Sequence, residues 1–278
     1  MALAAHLSAA HAIDFKSAVV GQRIADRTLT IGKLSMQLPG GEWILAAKTQ
    51  ELGGSNFSVA PPPLQTFAAV QAHDKAISAI LVFSAPAWSY NVSRWNDEPC
   101  KNVSSYIVKS TLNQTFAMPE CFVIDNETAG SFGASASAHR DLVRWASSNG
   151  YGVPNPMVKV FHTKYHGGDF FRFNAYLAGG SGSAPAAEAW GREAVASLAA
   201  MVTRSTSQAT LPELPAFVAA PAGAMPMASI SPPVAGSAAN AASTSAESRL
   251  RQLRSLLDSK LITPEEYEGK RKKIVEEL

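Results

Sequence analysis

Charge is scarce in this chain and nearly balanced, with 24 Lys and Arg against 22 Asp and Glu in 278 residues, a formal +2. So mild an excess leaves no electrostatic footprint for nucleic acid, and no nucleic-acid partner is expected. Long apolar runs are missing as well. The most strongly apolar stretch, Ala79 to Phe83, has the length of a strand and falls far short of the ~20 residues that span a bilayer, so no transmembrane span is expected.

Cysteine is rarer still, at Cys100 and Cys121 only. There is no C-x-x-C, and no His sits close to either in sequence, which argues against a zinc site. Two readings remain for the pair. In an exported chain they form a disulfide, closing a loop of about twenty residues worth ~3 kcal/mol in the chain-entropy model; in a cytosolic chain they are two buried thiols. Familiar catalytic signatures are absent too. Ala129 to Ser137, AGSFGASAS, has the small residues of a phosphate loop but not its Lys or spacing, and there is no G-x-S-x-G, H-E-x-x-H or EF-hand pattern. No cofactor is implied. His162 and His166 are four apart, a spacing suited to a metal on a helix, but on a strand they read as ordinary surface histidines and no metal is assigned.

What is present starts with residues 1–12, mostly small and apolar, in which Ala10-His11-Ala12 fits the small-x-small rule of signal-peptidase cleavage. No Lys or Arg precedes that stretch, so the expectation is the remnant of a signal peptide whose start lies upstream of Met1. Export places the chain in the periplasm or cell envelope; a plain cytoplasmic N-terminus is the alternative.

Residues 13–204 read as one α+β domain on an antiparallel sheet with flanking helices. Thr28 to Lys48 alternates apolar with polar residues on both sides of Pro39-Gly40-Gly41, predicting two strands joined by that turn, with a bulge at Gly32 where the parity breaks. Ala76 to Trp88 and Cys121 to Asp125 are predicted strands. SAHRDLVRWASSNG and AAEAWGREAVASLAAMVTRS have helical spacing. Gly167-Gly168 is a two-residue hairpin turn, since both positions accept positive φ. Pairing outward from it sets His162 opposite Phe173 and puts Val158, Val160, Phe171, Phe173 and Leu177 on a core face.

The opposite face of that hairpin, with the loop from Trp88 to Cys100, supplies a candidate ligand groove of Trp88, Tyr90, Trp95, Lys159, Tyr165, Phe170 and Arg172. An aromatic and basic surface of this kind suits a small molecule, sugar or peptide. Ordinary packing of a loop on a sheet accounts for the same residues. An acid/base site drawn from Asp125, Glu127, His139 and Asp141, or from the His162/His166 region, belongs to a competing reading, a periplasmic hydrolase-like enzyme.

Residues 205–246 are Ala, Pro, Ser and Thr with almost no charge, a composition that buries too little apolar surface to fold, and are expected to be a disordered linker. Residues 247–278 are different. Thr263 is placed as a helix N-cap, Pro264 follows at the first helical position, and Glu266 completes a capping box. Ile262 and Tyr267 stand at the positions of a hydrophobic staple. The result is a two-helix hairpin with Leu250, Leu253, Leu256 and Leu257 on its first helix and Tyr267 and Ile274 on its second.

This segment resembles a SHOCT (short C-terminal) domain. Leu253, Leu256, Leu257, Leu261, Ile262, Thr263, Glu266, Tyr267, Lys270 and Ile274 stand at the matching positions, while Lys260 replaces the usual Gly of the turn. The resemblance implies a module appended to diverse bacterial proteins, often of the envelope, that mediates oligomerisation or partner contact. The expected interface is Leu250, Leu253, Leu256, Leu257, Leu261, Ile262, Tyr267 and Ile274, meeting another copy or another protein. The compartment is testable at the cysteines. Thiol labelling of protein recovered from the periplasm is expected to find Cys100 and Cys121 blocked, and labelled thiols refute the pairing.

Overall fold

The computed structural model describes residues 12–51, 62–89, 107–113, 120–203, 205–206, 208–219, 267–269 and 271–272, and the chain divides into two units, 1–224 and 225–278. In the first unit the strands are β1 (Ile13–Asp14), β2 (Thr28–Ile31), β3 (Leu34–Gln37), β4 (Trp43–Glu51), β5 (Leu64–His73), β6 (Ala76–Pro86), β7 (Val108–Asn113), β8 (Glu120–Glu127), β9 (Met157–His166), β10 (Asp169–Ala178) and β11 (Gln208–Thr210). Its helices are α1 (Ala129–Ser135), α2 (Ser137–Ser148), α3 (Ala184–Val202) and α4 (Ala216–Ala219). Among the described residues no helix is long and apolar enough to cross a membrane.

The larger sheet has seven strands in the order β4-β5-β6-β10-β9-β8-β7, every neighbouring pair antiparallel. Its centre is β6 and β10, whose residues are buried on both faces. That double burial explains why AILVFSA is a continuous apolar run and not an alternating one. A second sheet, β1-β2-β3-β11, is mixed: β2 and β3 are antiparallel, while β1 and β11 join in parallel.

The large sheet has two covered faces. On the front lies the main core, where Phe67, Phe83, Phe122, Phe173 and Leu177 meet Leu29 and Met36 of the small sheet and Trp190 and Leu198 of α3. On the back, a smaller core joins Ala68, Val70, Ile80, Val82 and Tyr176 to Phe132 of α1 and Leu142 and Ala146 of α2. The architecture is α+β.

The β9–β10 register is the expected one: Asp169 pairs with His166, Phe173 with His162 and Leu177 with Val158. Gly167 and Gly168 have φ of 56° and 91°, as a turn with both central residues at positive φ requires. The N-terminal expectation is corrected. Gly32 is not a bulge but the first residue of a two-residue reversal that pairs Ile31 with Leu34. The parity breaks there because the chain turns back. Pro39-Gly40-Gly41 then joins no hairpin but carries the chain from the small sheet to the large one, where β4 pairs with β5.

The ordered fold also runs past residue 204, into the span read as linker. β11 pairs with β3, Ala209, Leu211 and Val218 are buried in the main core, and the Glu213 carboxylate accepts from Gly40 N at 2.9 and 3.1 Å. Three buried side chains and one bonded carboxylate suffice to tie down a segment whose composition reads as unfolded. In the second unit, residues 267–269 and 271–272 are helical and Arg271 meets Glu268 at 3.4 Å. The other residues of the expected hairpin and residues 220–246 lie outside the described residues.

Gly191 sets how closely α3 approaches the sheet. A Cβ there would stand 2.7 Å from Val160 Cγ1 and 2.9 Å from Phe122 Cε2, contacts that neither a β-branched nor a ring side chain can relieve cheaply. Although Ala is the better helix former by ~1 kcal/mol, Gly191→Ala is expected to destabilise the domain by about 1–2 kcal/mol through overpacking. The check is a lower denaturation midpoint at unchanged m.

Candidate functional site

Because side chains alternate along a strand, the β9–β10 hairpin presents a polar cluster to each face of the sheet. On the front, the pairings Phe67–Phe83, Phe83–Phe173, Phe173–His162 and His162–Phe122 string one row across β5, β6, β10, β9 and β8. His162 is its one polar member and is fully buried. Beside it, Glu120 pairs with Lys164 across β8 and β9.

Glu120 joins the two cations or potential cations. Its Oε1 accepts from His162 Nε2 at 2.9 Å and its Oε2 from Lys164 Nζ at 2.5 Å. The first bond fixes the His162 tautomer, with hydrogen on Nε2 and a lone pair on Nδ1. That Nδ1 is buried with no hydrogen-bond partner among the described residues. Burial pushes His162 below its ordinary value, against the opposing pull of Glu120. Burial would raise Glu120, but the hydrogen bonds from His162 and Lys164 outweigh it and hold the carboxyl below its usual range. The state that satisfies both is a neutral imidazole beside a carboxylate ionised against Lys164.

On the back, the row Val70, Ile80, Tyr176, Lys159, Asp125 crosses the same five strands. His139, in the first turn of α2, reaches down to it with Nε2 2.8 Å from Tyr176 Oη. Phe132 packs edge-on against both rings, 4.7 Å from each centroid. Lys159 lies 5.9 Å from the Tyr176 centroid and 3.7 Å from Glu127. Glu127 also accepts from Ser131, whose hydroxyl belongs to the capping box of α1 with Thr128. Burial drives His139 down to about 4, aided by Lys159, and pushes the Tyr176 phenol well above its ordinary value. Asp125 is raised, again by burial first.

Of the candidate ligand residues, Tyr165, Phe170 and Arg172 come together: Tyr165 and Phe170 are cross-strand partners, and Arg172 lies 5.6 Å from the Phe170 centroid. Tyr165 and Phe170 are buried, at 5% and 6% exposure. Lys159 shares their face but stands apart, beside Tyr176. Trp88 is exposed just past β6, and Tyr90 and Trp95 lie outside the described residues. Among the acid/base candidates, Asp125, Glu127 and His139 gather on the back, whereas Asp141 points out to Arg144 at 3.0 Å. His162 and His166 do not act together, His162 being committed to Glu120 and His166 lying half-buried at the hairpin end. Among the described residues no group of three or more His, Cys, Asp or Glu side chains could hold a metal ion. Cys121 is buried on β8, facing the back with Val123; Cys100 lies outside the described residues.

Glu120, Lys164, Tyr176 and Phe132 are central here and were not singled out by the sequence. Only the β8–β9 register, which joins segments some forty residues apart, shows that Glu120 faces Lys164.

Residues 248–274 match the family model of SHOCT, the Short C-terminal domain, so the tail resemblance holds. The comparison with curated proteins found no match. Two solved structures are similar in part. The effector domain of PhnF from Mycobacterium smegmatis is 12% identical, with 49% of this chain and 80% of that one covered and a TM-score of 0.26. PhnF from the same organism is 11% identical, with 54% and 69% covered and a TM-score of 0.26.

The front cluster makes a quantitative expectation. Glu120→Ala strands Lys164 and removes the acceptor of His162, and breaking a buried ion pair from one side costs ~3–5 kcal/mol. Adding Lys164→Met in the same chain is expected to recover part of that loss in chemical denaturation.

Proposed function

We propose that this chain is an exported, envelope-associated binding or scaffold protein whose SHOCT segment oligomerises it or holds a partner. The observation that supports this reading best is the family match at residues 248–274, set apart in sequence from a domain whose last described element ends at Ala219. Two short helices bury too little apolar surface to be stable alone, so the stripe of Leu250, Leu253, Leu256, Leu257, Leu261, Ile262, Tyr267 and Ile274 calls for a second copy or another protein to complete it. The main domain would then bind a small molecule, sugar or peptide, with Cys100 and Cys121 paired in an oxidising compartment. Export rests on the small-residue stretch ending at Ala12.

A hydrolase-like enzyme is the second reading, favoured by the gathering of Asp125, Glu127, His139 and Lys159 on one face. Against it, His139 and Tyr176 are closed to solvent, at 6% and 2% exposure, and bonded to one another. A buried pair bonded in this way serves packing better than turnover.

The experiment acts on the tail. Deleting residues 247–278 is expected to lower the mass measured by light scattering while the main domain keeps its unfolding transition. An unchanged mass, with no partner lost, sinks the assembly role.

A further inference from the structure

His139 is where α1, α2 and the sheet lock together. Its ring is boxed by Phe132 of α1 and by Tyr176 of β10, which stands perpendicular to it at 5.4 Å. Nε2 is engaged with the Tyr176 hydroxyl. Nδ1 is buried without a hydrogen-bond partner among the described residues.

The charges around this ring are unsuited to a second proton. From β9 comes Lys159, with Glu127 of β8 turned to it, and Asp125 of β8 stands beyond Lys159 in the same row. From β10 comes Tyr176, with Arg172 two repeats of the pleat further along. Glu51 at the end of β4 accepts from Ser137 at the start of α2, and β5 and β6 contribute Ala68, Val70, Ile77, Ile80 and Val82 to this layer, with the neutral hydroxyls of Thr66 and Ser84 further along. On α2 itself Arg140, Asp141 and Arg144 face outward, the last two paired. An imidazolium here would make Nδ1 a donor with no acceptor among the described residues and set a positive charge near Lys159.

We propose that α1 and the first turn of α2 form an acid-releasable latch: protonation of His139 favours a state in which Phe132 leaves its box and the apolar back layer is uncovered. This device is independent of the tail and of the compartment.

The sign follows from linkage. Docked His139 stays neutral down to about 4, whereas a solvated imidazole takes its proton near 6.5. Between those limits only the undocked state binds the proton, so undocking rises as the pH falls through 6.5 and levels off below 4. The same relation gives roughly a thirtyfold rise in the undocked fraction between pH 7.5 and pH 5.

Amide hydrogen exchange on the full chain, corrected for intrinsic rates, reads this directly. At pH 5 the amides of α1 and the first half of α2 are expected to exchange about thirtyfold faster than at pH 7.5, with those of α3 changing less than about threefold. His139→Gln, which keeps a hydrogen-bonding side chain but cannot titrate, is expected to abolish the difference. Should that variant not fold, NMR titration of the wild-type His139 ring decides, since the docked form must stay neutral to about pH 4. Acceleration shared equally by α3, acceleration that survives in His139→Gln, or a docked ring titrating near 6.5 overturns the latch.

Discussion

The register of the β9–β10 hairpin is the constraint on which the domain depends. Fixed by two glycines at positive φ, it puts Val158, Val160, Phe171, Phe173 and Leu177 toward α3 and the small sheet, and Lys159 and Tyr176 toward α1 and α2. A slip of one residue would exchange these sets. Phe173 and Leu177 would then face a back layer built for Tyr176, and Lys159 would enter the main core. Because β6 and β8 pair with the hairpin's outer edges, an error there would propagate across the sheet.

The price of that order is a buried histidine in an aromatic row. The four phenylalanines beside His162 are each 1% exposed or less, and burial of such a side chain contributes ~1.5–3 kcal/mol. An imidazole gives less and demands a partner. Glu120 supplies one at the edge of the row, and Lys164 in turn holds Glu120 ionised. The triad therefore lies where the sheet begins to open, with the side chain of Lys164 14% exposed, so its charge is not fully desolvated. A buried pair of this kind seldom adds net stability over an apolar replacement. Its effect is to specify which residue of β8 stands opposite which residue of β9.

What could be read from the sequence follows how local the governing interaction is. The hairpin, α2, α3, β6 and β8 were legible because their signals lie within one turn or one run of the chain. β5 was not, since FAAVQAH has small residues at both parities, and its turn uses Asp74 and Lys75 at positive φ instead of glycine. The Gly32 reversal reads as a bulge in the sequence because either device breaks parity; the close approach of Gly32 to Ala87 O, 2.8 Å from where a Cβ would lie, is a tertiary fact. α1 hides in AGSFGAS, whose one anchoring side chain is Phe132. The two polar clusters need long-range register: the sequence shows His139 as a titratable group, but its partners come from β8, β9, β10 and α1.

The two histidines share a logic that separates them from surface groups. Each offers Nε2 to one oxygen and buries an Nδ1 that has no partner among the described residues. They differ in what surrounds the ring. His162 has a carboxylate against it, so the cost of a proton there is offset in part by Glu120. His139 has a phenol that burial keeps protonated and a lysine nearby, so nothing compensates. On the back face, then, both burial and the neighbouring charge act against a proton. That face is also the one covered by short elements, a seven-residue helix and the start of a twelve-residue one, where the front is held by a nineteen-residue helix and a second sheet. An acid-sensitive group therefore sits under the cover with less apolar surface to hold it. In a domain with two faces, that asymmetry lets one layer respond while the other preserves the fold.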